Sequence, residues 1–581
     1  MNRISIWTAS KIFFCIFISL TTSLFSVAQQ QQPGFNPYQY EIKKQAEGSK
    51  GAVVTAHPLA SEVGIRILKS GGNAVDAAIA VQLALAVVYP GAGNIGGGGF
   101  MVGYLQDGKK IAVDYRESAP AAAHRDMYID KDGNALTEKS QNGHLASGIP
   151  GTVAGLFFSH RYAKLPFRDL IAPAILLAEK GFVITKSEAS SLNRHRDAFI
   201  RYNTVVPVFV KETSWKEGDT LIQKDLANTL KRIRDKGAAG FYEGETANLI
   251  VAEMKRGNGI ITNADLKNYK VRERIPVEFT YNGYTILSMP LPSSGGIILQ
   301  QTLTMISGKN IAEKGFLSAD AVQLVTETER RAYADRAEYL GDIDKVKVPV
   351  KQLVSKSYLE KRMADYQPDK AGNSSEIKAG IPTPESEETT HLSVVDQWGN
   401  AISVTTTLNG GYGSGTVVSG AGFLMNNEMD DFSIKPGVPN MYGALGNENN
   451  AIAAGKRMLS SMTPTIVLKN NQPYLVVGTP GGTTIPTSVL QTIMNVIDFN
   501  LSVSDAVNKP KFHHQWMPDE IFVEADFPDD TVSQLKKMGY KISKRGYIGR
   551  TEVIKITKSV SNKLLLEAVG DKRGDDDARA Y

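Results

Sequence analysis

Cysteine is almost absent from this chain of 581 residues, because Cys15 is the only one. Cys15 lies inside an N-terminal apolar run, IFFCIFISLTTSLFSVA, which follows Arg3 and Lys11 and ends at Ala28. A positive start, a short apolar stretch and small residues at its end are typical of a secretory signal, so we predict cleavage after Ala28. The mature protein would have no cysteine, which excludes disulfides, thiolate metal sites and a cysteine nucleophile.

Long apolar runs are also missing. The N-terminal stretch is shorter than the roughly 20 residues that a membrane-spanning helix needs, which disfavours the alternative of an uncleaved anchor. We therefore expect an exported protein, in a periplasm or secreted, with no membrane span after signal removal.

Neither sign of charge dominates, since 65 Lys and Arg residues stand against 60 Asp and Glu residues, for a net charge of +5. The chain has no basic stripe interleaved with aromatic residues, so we predict no nucleic-acid partner. With 42% hydrophobic and 22% charged residues, the composition is that of a globular protein with a sizeable core.

Familiar catalytic and metal-binding motifs are missing too. No G-x-S-x-G occurs, and the S-x-x-K matches at Ser375 and Ser533 lack the companion motifs of serine enzymes. No H-E-x-x-H occurs among eight histidines, and the adjacent His513 and His514 would point to opposite sides of a strand. We therefore predict no metal site.

A glycine-rich stretch, GAGNIGGGGF at 91–100, contains a match to G-x-G-x-x-G. The stretch follows a predicted helix and enters a predicted strand, which is the reverse of the order in a dinucleotide site. We expect these glycines to allow close approach of backbones around a site, and we predict no cofactor.

The predicted secondary structure changes past the middle of the chain, from helical patterns to β-type runs. Residues 29–50 are rich in Gln, Pro and Lys and are predicted to form a mobile leader. Helical patterns dominate 155–260 and 318–365, whereas 369–388 (DKAGNSSEIKAGIPTPESEE) has no periodicity and is predicted to be a linker. Alternating β-type runs follow the linker.

The first β-type runs, TTHLSVV and AISVTTTL, flank DQWGN and predict a hairpin with Gly399 in the left-handed turn position. In that register Thr389 lies opposite Thr407, within one residue if the turn carries a bulge. A second hairpin, PTIVLKNNQPYLVVGTPGG, ends at Gly481 and Gly482, and a helix starts directly after it.

Thr389 has a possible chemical role at the end of the linker. If the bond after Glu388 is cut, Thr389 gains an α-amine with a pKa of about 7.7 to 8.0, which can take the proton of its own hydroxyl. Thr407 could hold the nucleophile, and the N–H groups of Gly481 and Gly482 could form an oxyanion hole. From the hairpin alone, the alternative is that Thr389 merely begins a strand.

Motifs along the whole predicted mature chain resemble those of the γ-glutamyltranspeptidases. Before the linker they are GGNAVDAAIA at 71–80, GNIGGGGF at 93–100, DYRESAP at 114–120 and RAYADRAEYLGD at 331–342. From the linker's end onward they are ETTHLSVVD, TLNGGYGSG, NNEMDDFS, KPGVPNMYG, KRMLSSMTPT, TPGG and FHHQW.

The resemblance implies an α+β N-terminal-nucleophile hydrolase fold, a four-layer αββα sandwich of two stacked antiparallel sheets between helices. It also implies self-cleavage between Glu388 and Thr389. The fragments, a large subunit of residues 51–388 after the leader and a small subunit of 389–581, would stay together as a heterodimer.

The resemblance further implies the binding roles in a pocket for a zwitterionic γ-glutamyl group. Arg116, Ser460 and Ser461 match positions that bind the α-carboxylate, which needs cation and hydroxyl donors. The positions that bind the ammonium are matched by Asn409, Glu428 and Asp431. Glu428 is glutamine in some members of the family. Segment 436–449 resembles a lid, with Tyr442 at the gating position.

The implied function is transfer of the γ-glutamyl group of glutathione and related donors to water, amino acids or peptides. An acylase or a poly-γ-glutamate hydrolase on the same scaffold is one alternative. A periplasmic amino-acid-binding protein that never cleaves itself is another. Segment 436–449 and Asp431 disfavour the first alternative, because members with those other activities typically lack the lid or the ammonium-binding aspartate.

Overall fold

A computed structural model describes residues 36–377, 389–559 and 563–581. The predicted signal peptide, Glu388 and the bond before Thr389, and the linker from residue 378 onward lie outside the described residues. No helix in the described part of the chain is long and apolar enough to cross a membrane.

Two seven-stranded sheets form the centre of the molecule, and neighbouring strands in both are antiparallel. The first sheet has the spatial order β19 (Asp577–Ala580), β2 (Ala52–Thr55), β10 (Thr390–Val395), β11 (Ala401–Thr407), β3 (Gly98–Tyr104), β4 (Lys110–Asp114) and β7 (Arg272–Arg274). The second has the order β1 (Gln45–Gly48), β18 (Leu564–Val569), β17 (Glu552–Lys558), β13 (Gln472–Gly478), β12 (Thr465–Lys469), β9 (Tyr284–Ser288) and β8 (Val277–Tyr281).

Smaller sheets and the helices surround these two. The small sheets contain β5 (Phe182–Val183), β6 (Thr220–Leu221), β14 (Phe512–His513), β15 (Ile521–Val523) and β16 (Ile542–Lys544). The α-helices before the linker are α1 (Pro58–Lys69), α2 (Ala74–Val88), α3 (Thr137–Gln141), α4 (Thr152–Ser159), α5 (Phe167–Lys180), α6 (Lys186–Arg194), α7 (Arg196–Arg201), α8 (Lys224–Lys236), α9 (Ala239–Tyr242), α10 (Gly244–Arg256), α11 (Asn263–Asn268), α12 (Gly295–Ile306), α13 (Ile311–Lys314), α14 (Ala319–Tyr339), α15 (Val350–Leu353) and α16 (Lys356–Arg362). Those after it are α17 (Thr484–Ile497), α18 (Val503–Asn508) and α19 (Asp529–Lys537), and the 3-10 turns are His144–Ala146, His160–Tyr162, Glu428–Asp431 and Glu448–Asn450.

The layers follow from where apolar side chains are buried. One core lies between the two sheets and joins residues such as Val54 and Phe100 of the first sheet to Ile466 and Val476 of the second. A second core packs α1, α2 and α5 on the outer face of the first sheet, and a third packs α12, α14 and α17 on the second. The predicted four-layer αββα sandwich is therefore confirmed.

Helix α2 shows how local sequence sets an element. Asn73 caps it, since its side chain accepts hydrogen bonds from the N–H groups of Val75 and Asp76, and the Asp76 carboxylate accepts one from the Asn73 N–H. Every residue of Ala74–Val88 is buried, as expected for a helix that is apolar all round. It ends before Pro90 and leads into the glycine-rich stretch.

The predicted mobile leader, 29–50, extends too far into the chain. Strand β1 lies within it and pairs with β18, and the Lys44 ammonium donates hydrogen bonds to three carbonyls of the C-terminal segment, those of Asp571, Gly574 and Asp576. The polar composition concealed this strand because it lies at the edge of the sheet, where only part of its surface is buried.

Candidate functional site

Thr389 lies at the head of β10, in the middle of the first sheet, and only 5% of its surface is exposed. The hairpin pairs Thr390 with Thr406 and Val395 with Ala401, and Gly399 has a φ of 85° in the turn. The predicted register is therefore confirmed, and it carries Thr389 opposite Thr407. Both threonines line one cavity.

The glycine-rich stretch holds the end of β11 in place. The Asn94 amide donates to the Thr407 carbonyl at 2.9 Å and to the Thr406 hydroxyl at 3.2 Å. A Cβ on Gly97 would meet the Thr407 carbonyl oxygen at 2.1 Å, so no larger residue fits beside this strand. The expected close backbone approach is present, and it fixes the strand that faces Thr389.

Gly481 and Gly482 lie where β13 leads into α17, with φ angles of 137° and 52° that favour glycine. No described residue accepts a hydrogen bond from either backbone N–H group. Helix α17 begins two residues later, so its N-terminal dipole favours negative charge here. The pair can therefore stabilise an oxyanion beside Thr389, because Thr389 lines a cavity with each of them.

A cluster of buried charges forms another wall of the cavity. The Arg116 side chain, 1% exposed, lies 2.5 Å from a Glu428 carboxylate oxygen and is also paired with Asp431. Glu117 lies behind it at 3.6 Å. The 3-10 turn Glu428–Asp431, called the acidic turn below, is therefore largely buried, and Arg116 pairs with it inside the protein.

Burial sets the protonation of this cluster. It raises the pKa of Glu117 to about 8 and also raises the pKa values of Glu428 and Asp431, while the Arg116 charge opposes the shift in all three. Glu117 is therefore largely protonated at neutral pH. The cluster has fewer negative charges than its three carboxyl groups suggest.

Ser460 and Ser461 lie across the cavity in a tightly held loop. The Ser460 carbonyl accepts hydrogen bonds from the N–H and hydroxyl of Ser294, each at 2.8 Å. The Ser461 hydroxyl accepts a bond from the Arg336 guanidinium at 3.3 Å.

Arg336 is a site residue that sequence reasoning missed. It lies on α14, is buried, lines the same cavity and also donates to the Ser294 hydroxyl at 3.2 Å. It forms no ion pair within the described ranges. A buried cation bonded only to neutral oxygens is a good receptor for a carboxylate. Its motif, RAYADRAEYLGD, was recognised, but nothing in it separated Arg336 from the neighbouring arginines.

Segment 436–449, the predicted lid, covers the cavity. The Tyr442 hydroxyl donates to the Asn409 carbonyl, and its ring lies so close to Gly482 that an added Cβ would meet it at 2.4 Å. The Asn440 amide donates to Asp431 at 2.7 Å, and the Met441 N–H donates to Asp430 at 2.7 Å. The lid therefore rests on the acidic turn as well as on the oxyanion position.

The structure brings together almost all of the predicted site residues. One cavity of about 20 Å³ is lined by Arg116, Thr389, Thr407, Asn409, Glu428, Asp431, Tyr442, Ser460, Ser461 and Gly482. Gly481 lines a neighbouring, larger cavity together with Thr389. His513 and His514 lie elsewhere, and they bond to Thr487, Gln515 and Asp519.

Comparisons with known proteins agree with this geometry. The family model for gamma-glutamyltranspeptidase matches residues 60–581. A glutathione hydrolase proenzyme of Pseudomonas sp. (strain A14) is 49% identical over 497 residues, covering 85% of this chain and 86% of the relative. A glutathione hydrolase proenzyme of Escherichia coli (strain K12) is 45% identical over 545 residues, covering 92% and 94%. The crystal structure of a cephalosporin acylase from Bacillus halodurans has a TM-score of 0.82 at 27% identity and covers 96% of this chain and 99% of the acylase.

Two stacked antiparallel sheets between helical layers, with Thr389 at the head of a central strand, define an N-terminal-nucleophile hydrolase fold. Within that class, the chain belongs to the γ-glutamyltranspeptidase family.

Proposed function

We propose that this protein is a self-cleaving γ-glutamyltranspeptidase and hydrolase, with glutathione and related γ-glutamyl compounds as donors. The observation that carries the proposal is the small cavity beside Thr389. Its walls place buried cations, carboxylates and hydroxyls around one small space, which is complementary to a zwitterionic amino-acid end.

Maturation would begin at the bond between Glu388 and Thr389. The Thr389 hydroxyl attacks the Glu388 carbonyl, the chain shifts to an ester, and water hydrolyses that ester. The products are a new carboxylate on Glu388 and a free α-amine on Thr389. We propose that the large and small fragments, ending at 388 and starting at 389, remain paired because strands of both fragments are hydrogen-bonded to one another within each of the two sheets.

Catalysis would then use Thr389 as nucleophile and base. Its Oγ1 attacks the γ-carbonyl while its α-amine takes the hydroxyl proton, and Thr407 orients the nucleophile. The N–H groups of Gly481 and Gly482 hold the oxyanion. The leaving amine takes the proton back as the acyl-enzyme forms, and water or an acceptor amine then attacks the ester.

Recognition of the donor would divide between two groups of residues. Asn409, Glu428 and Asp431 would bind the substrate ammonium. Ser460, Ser461 and Arg116, which also pairs with Glu428 and Asp431, would bind the α-carboxylate. We add Arg336 to the second group because it is a buried cation bonded to the Ser461 hydroxyl. Export to the periplasm is part of this proposal, since the N-terminal sequence has the pattern of a secretory signal.

The experiment compares the turnover of a γ-glutamyl anilide with that of the matching glutaryl anilide. Intact mass and N-terminal sequencing of the purified protein show whether the chain has been cut. We expect two fragments, the smaller starting at Thr389. We also expect the rate of aniline release from the γ-glutamyl donor to exceed that from the glutaryl donor by at least about tenfold. Preference for the glutaryl donor would favour an acylase. A single uncut chain without turnover would favour a binding protein.

A further inference from the structure

Thr389 lines two cavities, not one. The small cavity described above holds the charged cluster. On the other side of Thr389 lies a chamber of about 400 Å³, which Gly481 and Pro480 also line. An acyl group on Thr389 therefore has one compartment on each side, with the oxyanion position at the junction.

The lining of the chamber combines buried apolar side chains with an exposed cation. The buried side chains are those of Phe182, Ile184, Leu192 and Leu221. Arg194 is an exposed residue, whereas Thr389 is 5% exposed, and we call the exposed end of the chamber at Arg194 its mouth. A ligand that contacts both Arg194 and Thr389 needs a charged part and an apolar part.

Most charged groups of the chamber are already engaged. Arg550 forms a two-pronged pair with the buried Asp576, at 3.1 and 2.9 Å, and donates to the Tyr89 hydroxyl. Asp575 accepts a bond from the Thr185 hydroxyl, and Glu188 accepts one from the Thr185 N–H. The acidic groups are therefore held by the cap of α6.

Arg194 differs from these groups. It is the last residue of α6, and among the described residues its guanidinium bonds only to the Ser190 hydroxyl, at 3.1 Å, and forms no ion pair. A guanidinium at the mouth of a chamber, with most of its donors available, is suited to a carboxylate.

We propose that this chamber binds the leaving peptide and then the acceptor, a short peptide with an apolar first residue whose free C-terminal carboxylate is bound by Arg194. The inference rests on the proposed function. A peptide fits better than a single amino acid, because its amine must reach the buried Thr389 ester while its carboxylate remains at the exposed mouth. The attacking amine forms the new amide, the Thr389 ester bond breaks, and the amine's proton passes through the Thr389 α-amine to the departing Oγ1, which restores the hydroxyl.

The test uses a γ-glutamyl anilide donor, whose leaving group has no carboxylate, and two acceptors: phenylalanylglycine and its C-terminal amide. Arg194→Gln should raise the acceptor KM for phenylalanylglycine by about fivefold to tenfold and leave the amide unchanged. Arg194→Lys should recover part of the loss, because it keeps the charge. Arg201→Gln, an exposed arginine at the end of α7 that does not line the chamber, is the matched control and should change neither acceptor.

Hydrolysis of the donor without acceptor separates this inference from the proposed function. If the unmodified protein released no aniline in water, the proposed function itself would be wrong. If hydrolysis were normal but Arg194→Gln changed both acceptors equally, or neither, the role of Arg194 in the chamber would be overturned. Slower self-cleavage with unchanged acceptor KM would instead assign the chamber to the chain segment before Thr389, which also overturns the proposal.

Discussion

The two cavities that meet at Thr389 differ in volume and in the kinds of side chain that line them. The small one, about 20 Å³, is covered by Tyr442 and lined by buried charges that pair with one another. The larger one, about 400 Å³, is lined by buried apolar side chains and by the exposed Arg194. The small cavity presents fixed charged groups, and the larger one offers more space and a mixed lining.

This difference matches what a transferase needs. The donor end is constant, so charge pairs and a closed lid can select it, and desolvation strengthens each interaction there. The acceptor end varies, so a roomier chamber with buried apolar side chains and Arg194 at its mouth gives affinity without strict selection. Specificity should therefore reside on the small side of Thr389, and the following experiments test that division.

The largest effect should come from the residue that both cavities share. Thr389→Ala should leave one uncut chain with no activity on any donor, because a methyl group has no attacking oxygen. Thr389→Ser is the matched control: it keeps a hydroxyl and should still cut itself and turn over donor. Intact mass and aniline release measure both, and a Thr389→Ala protein cut at the same bond would exclude Thr389 as the nucleophile.

A smaller, selective loss should follow from a change in the donor cavity alone. Asp431→Asn keeps the shape but removes the charge that we propose faces the substrate ammonium. A charge-assisted hydrogen bond contributes about 1.5 to 3 kcal/mol, so kcat/KM for γ-glutamyl donors should fall by about one to two decades. Glutaryl donors lack the ammonium and should lose much less. Equal losses for both donors in a protein that still matures would make Asp431 a structural residue.

The lid should influence how the acyl-enzyme divides between water and the acceptor. Tyr442→Ala removes the ring that lies against Gly482 and should shift the partition of the acyl-enzyme toward water by about twofold to fivefold. Tyr442→Phe keeps the ring and loses only the bond to the Asn409 carbonyl. Its partition between water and acceptor should therefore lie between those of the unmodified protein and Tyr442→Ala. Product ratios at one fixed acceptor concentration provide the measurement. Identical ratios in all three proteins would argue against gating.

Much of the backbone arrangement around the site was predictable, because strand alternation and turn residues determine it locally. Alternation and the Gly399 turn fixed the register that carries Thr389 opposite Thr407, and the sequence TPGG followed by a helical pattern placed Gly481 and Gly482 ahead of α17. Arg336 was not predictable from spacing, since only tertiary packing brings α14 to the Ser461 loop. The pairing of Arg116 with the acidic turn was hidden for the same reason.

The structure corrected one predicted boundary. Strand β1 was overlooked because its sequence, QAEG, has no apolar alternation, and its partner β18 lies far along the chain. An edge strand of this kind depends on its partner rather than on its own composition.

The smallest effect should appear in stability rather than activity, and it concerns Glu117 behind Arg116. Burial raises the pKa of Glu117 to about 8, with Arg116 and Arg457 opposing the shift and Asp431 adding to it. The folded protein thus keeps a proton that the unfolded chain releases above a pKa of about 4.3. The contribution of Glu117 to the free energy of unfolding therefore falls as pH rises from about 4.3 to about 8.

Glu117→Gln cannot ionise, so its Tm relative to the unmodified protein should be higher at pH 8 than at pH 5, by roughly one to three degrees. Glu313→Gln, an exposed change on α13, provides the control and should show the same Tm difference at both pH values. A Glu117→Gln offset that did not change with pH would mean that Glu117 is ionised in the folded protein, and the charge cluster of the donor cavity would then carry one more negative charge than we infer.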